Sequence, residues 1–294
     1  MKKLLLVNIV LLHVLCCSAQ TKEVTGGLNS PESVAAGCKY LYVSNMGSKV
    51  DPTAKDGDGY ISRLSRKDGK VIDEKFITGL NSPKGIKVAG GIIFIADVDR
   101  LIAYRIKTKK KLWEADLTKA GIGYANDISV GTCASIFVSA TDKNAVYKVF
   151  RSGKVKQLKV NGDIDGANGL YHGACKLYIS NYGHKTEPNG SFGAINLCSK
   201  KYKPYGSGGV YDGMQMVCGR LVVSDWVERG EAKGKGRLLV YKPCKRQTTQ
   251  IQVGTALSGP SDIFADKRTH TLWIPCMLDN KLVALPFKML KGKK

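Results

Sequence analysis

Ala167-Asn168-Gly169-Leu170-Tyr171-His172-Gly173-Ala174-Cys175-Lys176-Leu177-Tyr178-Ile179-Ser180 joins a short tetrapeptide to a β-branched and aromatic run through a turn. The tetrapeptide has a small residue or Pro first, a polar residue second, a small residue third and an aliphatic residue fourth. Related segments occur at Pro31-Glu32-Ser33-Val34, Pro83-Lys84-Gly85-Ile86, Ala125-Asn126-Asp127-Ile128, Tyr211-Asp212-Gly213-Met214 and Pro260-Ser261-Asp262-Ile263. The aliphatic anchors fall at 34, 86, 128, 170, 214 and 263, at intervals of 52, 42, 42, 44 and 49 residues. Periods of about 40 to 50 residues suit four strands per blade of a β-propeller.

Working outward from each anchor, a second strand follows, as in Tyr40-Leu41-Tyr42-Val43-Ser44 and Ile92-Ile93-Phe94-Ile95-Ala96. A third follows at Tyr60–Leu64, Ala145–Val149 and Leu238–Tyr241, and a fourth at Lys75–Ile77 and Thr249–Val253. Their β-branched and aromatic content suits strands. The sixth repeat stops after its third strand, Leu282–Leu285, while an orphan strand around Glu23-Val24-Thr25 precedes the first. Pairing the two closes the ring and removes the free sheet edges. The expectation is an all-β fold, a six-bladed β-propeller in which an N-terminal strand completes the last blade. An open β-solenoid is the alternative, although its repeats are usually shorter.

Residues 1–19 read as a signal peptide: Lys2 and Lys3, an apolar stretch from Leu4 to Leu15, then Cys16-Cys17-Ser18-Ala19. Residues 20–294 then form one propeller domain, secreted or periplasmic, with no transmembrane segment in the mature chain. The chain has 46 basic and 24 acidic residues; without Lys2 and Lys3, the remaining 44 basic residues leave a formal charge of +20. Such a balance suits a polyanionic partner outside the cytoplasm, and export points away from nucleic acid. The basic residues gather in turns between third and fourth strands: Arg66 and Lys67, Lys109 to Lys111, Arg151 and Lys154, Lys200 and Lys201, Lys245 and Arg246, with Lys291, Lys293 and Lys294 in the tail. One face is therefore expected to be cationic, either as a docking surface or simply to keep turns solvated.

Seven cysteines remain after signal removal. Cys175 and Cys198 flank the second and third strands of blade four, and Cys218 and Cys244 do the same in blade five. Disulfides 175 to 198 and 218 to 244 are expected in an oxidising compartment, with Cys38, Cys133 and Cys276 free or buried. The alternative is that all seven are small core residues.

At the second position of the tetrapeptides stand Glu32, Lys84, Asn126, Asn168, Asp212 and Ser261. In a propeller such equivalent residues converge at the mouth of the central channel. Glu32, Asn126, Asn168 and Asp212 then offer an all-oxygen donor set, the kind that a hard divalent cation such as calcium prefers. Asn and Asp are also ordinary turn formers. Met46, Tyr182 and Trp226 follow second strands at matching places and read either as an apolar pocket wall or as plain packing.

Asn126-Asp127, Ala167-Asn168-Gly169-Leu170 and Asp212-Gly213-Met214 resemble the Asn-Asp, Pro-Asn-Gly-Leu and Asp-Gly-Met segments of the gluconolactonase and senescence-marker family of six-bladed propellers. A looser likeness extends to the wider calcium-dependent lactonase superfamily. The resemblance implies metal-binding roles for Asn126, Asn168 and Asp212. It departs at Pro31, where the family has its fourth ligand Glu and where Glu32 stands one residue late. It departs again at Tyr124, which replaces a substrate-contacting Arg. The implied activity is hydrolysis of a small lactone or ester, with Asp212 or Asp127 accepting a proton and Tyr124, Tyr182, Trp226 and Met46 around the substrate. The alternative is a non-catalytic propeller that binds an anionic envelope polymer or a protein partner. No His-Glu-x-x-His helix, phosphate loop, Cys-x-x-Cys pair or nucleophile elbow competes.

Overall fold

The computed structural model describes residues 20–131, 135–230 and 233–291. The signal peptide expected over 1–19, together with Cys133, Glu231, Lys293 and Lys294, lies outside them. Six four-stranded antiparallel sheets are arranged as the blades of a propeller. Blade one comprises β2 (Pro31–Ala36), β3 (Tyr40–Asn45), β4 (Gly59–Ser65) and β5 (Val71–Leu80). Blade two comprises β6 (Pro83–Ala89), β7 (Ile92–Asp97), β8 (Arg100–Arg105) and β9 (Lys110–Asp116). Blade three comprises β10 (Ala125–Val130), β11 (Ser135–Ala140), β12 (Ala145–Phe150) and β13 (Val155–Gln157). Blade four holds β14 (Ala167–Gly173), β15 (Lys176–Asn181), β16 (Gly190–Asn196) and β17 (Tyr202–Gly209). Blade five holds β18 (Tyr211–Val217), β19 (Arg220–Asp225), β20 (Arg237–Lys242) and β21 (Gln247–Ile251). Blade six holds β22 (Phe264–Asp266), β23 (Thr271–Cys276) and β24 (Lys281–Pro286), and β1 (Lys22–Thr25) supplies its outer strand. Lys22 lies opposite Ala284 and Thr25 opposite Lys281, the closure that the sequence predicts.

The apolar core lies between blades. Ile86, Ile93 and Ile95 of blade two pack with Tyr42 and Ile61 of blade one, and Val34, Leu41 and Val43 of blade one pack with Trp273 and Leu282 of blade six. No blade buries both of its faces alone, so the ring stands or falls as a unit.

The tetrapeptides owe their place to a repeated irregularity. In blade one Pro31 pairs with Asn45 but Val34 pairs with Val43, so the ladder slips between them. The same slip occurs at Pro83/Ile86, Ala125/Ile128, Ala167/Leu170 and Tyr211/Met214. Bulges of this kind re-aim side chains near active sites. Here the second and third residues leave the ladder and turn toward the axis. Serines at the ends of second strands hold the slip in place. Ser44, Ser139 and Ser224 each accept the backbone N–H of the third residue, at 2.8 to 2.9 Å. Ser44 and Ser224 also donate to the carbonyls of Lys84 and Ser261 on the next blade, at 2.7 and 2.9 Å, and Ser180 donates to that of Asp212. Blade six departs from the pattern: Pro260–Ile263 belongs to no strand, and isolated bridges tie Asp262 to Ser33 and Pro260 to Cys276. Glu32 O accepts Asp262 N–H at 2.9 Å across this join.

Third-position residues fill the channel. Lys87 Nζ reaches Asp127 Oδ1 at 3.1 Å and Asp262 Oδ2 at 2.9 Å, and Ser33 Oγ donates to Asp262 Oδ2 at 2.6 Å. Gly85 lets blades two and three approach closely here; a Cβ there would lie 2.5 Å from Asp127 Cα.

Cys38, Cys175, Cys198, Cys218 and Cys244 are exposed free thiols and Cys276 is a buried one. The two expected cross-links are therefore not made in this structure. In blade four Lys176 lies opposite Asn196, and Leu197 N–H bonds Cys175 O, so Leu197 faces Cys175 and Cys198 falls one residue past it. In blade five Cys218 sits at the tip of the β18–β19 hairpin with φ of 47°, outside the ladder. Among the described residues no helix is long and apolar enough to cross a membrane.

Candidate functional site

The second-position residues converge as radial symmetry requires. Glu32, Lys84, Asn126, Asn168 and Asp212 line one cavity of about 390 Å³. Each is 5% exposed or less. Ser261, the sixth, donates to Pro31 O at 3.2 Å and is not part of the lining.

Three buried oxygens in this cup have no hydrogen-bond partner: Glu32 Oε2, Asn126 Oδ1 and Asp212 Oδ1. In Asn126 and Asp212 the companion atom is held. Asn126 Nδ2 donates to Thr141 Oγ1 at 3.0 Å, and Thr141 in turn donates to Ala167 O at 2.7 Å. Trp226 Nε1 donates to Asp212 Oδ2 at 3.1 Å. The free oxygens of Asn126 and Asp212 are thus the atoms left over once each side chain has been oriented. Unpartnered buried acceptors are costly, by roughly 1–3 kcal/mol each.

Electrostatics point the same way. Burial, and then the charges of Asp212, Asp262 and Asp127, push the Glu32 carboxyl well above its ordinary range, with Lys84 opposing. Burial, Asp262 and Asp127 likewise raise Asp212, against the bond from Trp226. A cluster of carboxylates that resists ionisation in isolation is stabilised by a cation. Among the described residues no three His, Cys, Asp or Glu side chains are disposed to hold a metal. A cation here would need the Asn126 and Asn168 side-chain carbonyls beside the Glu32 and Asp212 carboxylates, and hard cations accept such donors.

The apolar wall is also assembled. Met46 and Trp226 pack with Val210 and Met277, and Tyr182 and Leu278 lie against them. The Tyr182 and Trp226 rings meet edge to face at 6.2 Å. Tyr124 lines the cavity, and burial followed by Asp212 and Glu32 raises its phenol well above the usual value. Met46, Tyr124, Tyr182 and Trp226 thus all lie where the sequence places them.

Asp127 does not join this group. It is fully buried in the channel floor, where Lys87 and the backbone N–H groups of Ile128 and Leu170 bond its oxygens. Burial, then Asp262, raises its carboxyl to about 7 despite Lys87. Its oxygens are committed to the floor, so it is not a free proton acceptor at the cavity.

Six lining residues carry no role in the sequence reading, Met277 and Lys84 among them. Met277 occupies in blade six the place that Met46, Tyr182 and Trp226 hold in blades one, four and five, immediately after the second strand, so the repeat register contained the signal. Lys84 stands in the ring of second positions but donates at 2.6 Å to Pro52 O and 2.9 Å to Ser82 O. Its ammonium lies 5.0 Å from the Tyr124 ring centre.

No family model matches the chain, and no curated protein matches it. Solved structures do. A gluconolactonase from Xanthomonas campestris is 16% identical, with 90% of this chain and 89% of that one covered and a TM-score of 0.64. The virginiamycin B lyase from Staphylococcus aureus is 15% identical over 91% and 99%, with a TM-score of 0.60. A streptogramin B lyase is 13% identical over 90% and 96%, with a TM-score of 0.62. At these identities the likeness carries the architecture alone: this chain is a six-bladed β-propeller similar in fold to these structures.

Proposed function

We propose that this is a secreted or periplasmic hydrolase of a small lactone or ester, with a divalent cation, calcium by its chemistry, held by Glu32, Asn126, Asn168 and Asp212. The observation that carries the reading is the set of three buried, unpartnered oxygens facing one cavity. When bound, the cation would supply Lewis acidity and a more acidic water. The chain's own part is positional. Trp226 fixes Asp212 through Oδ2, so that Oδ1 is the atom left to face the cation. Thr141 turns the Asn126 carbonyl inward. Met46, Trp226, Met277 and Leu278 exclude water from one side and accept an apolar substrate body. Lactone likeness rests on resemblance and shared fold, and a lyase reaction on the same scaffold is the nearest competitor.

The test is a panel of lactones and esters assayed with and without chelator, on the native chain and on Asp212→Ala. Hydrolysis that needs both the metal and Asp212 supports the reading. Turnover that survives chelation and the substitution overturns it.

A second reading, binding of an anionic polymer, is favoured by one patch. Lys176, Lys201 and Lys203 surround Tyr205 on blade four, whose ring stacks on Tyr241 with centroids 4.7 Å apart. Elsewhere the expected basic face is partly neutralised, since Arg66 pairs with Asp266, Lys109 with Asp73 and Lys111 with Glu114. Retention of the chain on an immobilised acidic glycan, lost in a Lys176, Lys201 and Lys203 triple glutamate variant, tests it.

A further inference from the structure

Among the described residues six partly buried cations sit against a carboxylate; besides Arg63 with Asp73 and Lys281 with Glu23 and Asp279 there are four. Lys87 has Asp127 and Asp262 at 3.1 and 2.9 Å, Arg66 has Asp266 at 2.5 Å, Arg100 has Asp97 at 2.7 Å and Arg237 has Asp225 at 2.8 Å. Lys84 is 1% exposed and makes no such pair among the described residues. Two of its three N–H donors meet the Pro52 and Ser82 carbonyls. The third has only the face of Tyr124. Glu32 attracts this charge without a direct ion pair; a buried charge costs several kcal/mol before its partners are counted, and two neutral carbonyls with one ring offset that only in part.

Lys84 also differs from those four cations in where it lies, because it lines the cavity. A second cation lies against Tyr182, one of the lining residues. Arg229 lies over the Tyr182 ring at 5.0 Å, donates to Tyr182 O at 3.3 Å, and leaves its buried Nε without a partner. One side of the cavity thus presents acceptors in want of a cation, and another presents a cation in want of an anion.

We propose that Lys84 is an anion subsite, which binds a carboxylate carried by the ligand while the ligand's apolar body rests against Met46, Trp226, Met277 and Leu278. This deepens the hydrolase reading by naming its substrate class, a lactone or ester with an acidic substituent. It places positive charge at a different blade from the Arg that Tyr124 replaces. Lys84 is a specificity-determining residue here, distinct from the oxygen donors of the cup.

The experiment uses the mature chain saturated with calcium and involves no turnover, so absent hydrolysis does not decide it. Calorimetry measures phenylacetate against its neutral isostere phenylacetamide. The expected result is about tenfold tighter binding of the acid, about 1.4 kcal/mol, a preference abolished in Lys84→Met and kept in Lys84→Arg. Should Lys84→Met fold poorly, the Lys84 Nζ nitrogen signal in labelled native protein serves instead, and is expected to shift with phenylacetate and not with the amide. Equal binding of the two ligands, failure of both to bind, or an unmoved nitrogen signal overturns the proposal. A preference that survives Lys84→Met but vanishes with chelator also overturns it, by placing the carboxylate at the cup.

Discussion

The cup and the channel floor are neighbouring layers built from second and third residues of the tetrapeptides, with Lys87 joining the floor from just beyond its own, yet they differ in how far their polar atoms are satisfied. In the floor, Lys87, Asp127, Asp262 and Ser33 bond one another, and only Asp262 Oδ1 is left over. In the cup, one step along the chain, Glu32, Asn126 and Asp212 each keep an oxygen free and Lys84 keeps an N–H free. A polar network that is closed holds the ring together. One that is open awaits something from outside, and the stability it forgoes is the mark of a binding site.

The sharpest way to break this contrast is Lys87→Met, which leaves two buried carboxylates without their ammonium. A loss of about 3–5 kcal/mol is expected, read by denaturant unfolding. A loss under about 1 kcal/mol would mean that the floor is not held ionically.

Asp212→Asn tests the cup instead. Calcium affinity should fall about 100-fold, about 2.7 kcal/mol, by calorimetry, while the metal-free chain keeps its stability or gains a little. An equal loss of stability in metal-free protein would make the cup another structural layer.

The two layers also meet in their response to pH. Glu32 and Asp212 have folded values well above their ordinary 4.5 and 3.8, with burial the first cause, and Asp127 rises from 3.8 to about 7. The folded chain therefore keeps protons that the unfolded chain has released. Their contribution favours the folded state at acidic pH and is lost as pH climbs from the ordinary values through the raised ones. Melting temperatures of metal-free protein should fall across that window, and calcium should restore more at its upper end. A metal-free Tm that climbs over the same range contradicts the cup's electrostatics.

The smallest expected effect belongs to Trp226→Phe, which keeps the wall but removes one bond to Asp212 Oδ2. About 1 kcal/mol is expected to be lost, in calcium binding if Trp226 serves the cup and in unfolding alone if it serves only packing.

Much of this was legible because the repeat is regular. The spacing of anchors gives blade number, the orphan strand gives the closure, and shared position gives the convergence of Glu32, Asn126, Asn168 and Asp212. What the sequence hides is tertiary. The tetrapeptide marks the ladder slip, but nothing local says that Ser44 or Ser224 will brace it from another strand. Asp127 looks like a site residue next to Asn126, and only Lys87, reaching over from blade two, shows it to be part of the floor. Lys84 lacks a carboxylate because of where its neighbours end up, which spacing does not encode. The cysteines fail for a related reason, since a one-residue offset or a turn tip decides whether two sulfurs meet.

The join between β1 and β24 sets the order in which the molecule can mature. Lys22 must find Ala284 across nearly the whole chain, a contact of far greater sequence separation than the hairpins within blades, and loop closure makes such contacts late. The two strands lie side by side once paired, so a permuted gene that moves β1 behind β24 would turn this slow encounter into a local hairpin and should hasten refolding without altering the finished ring.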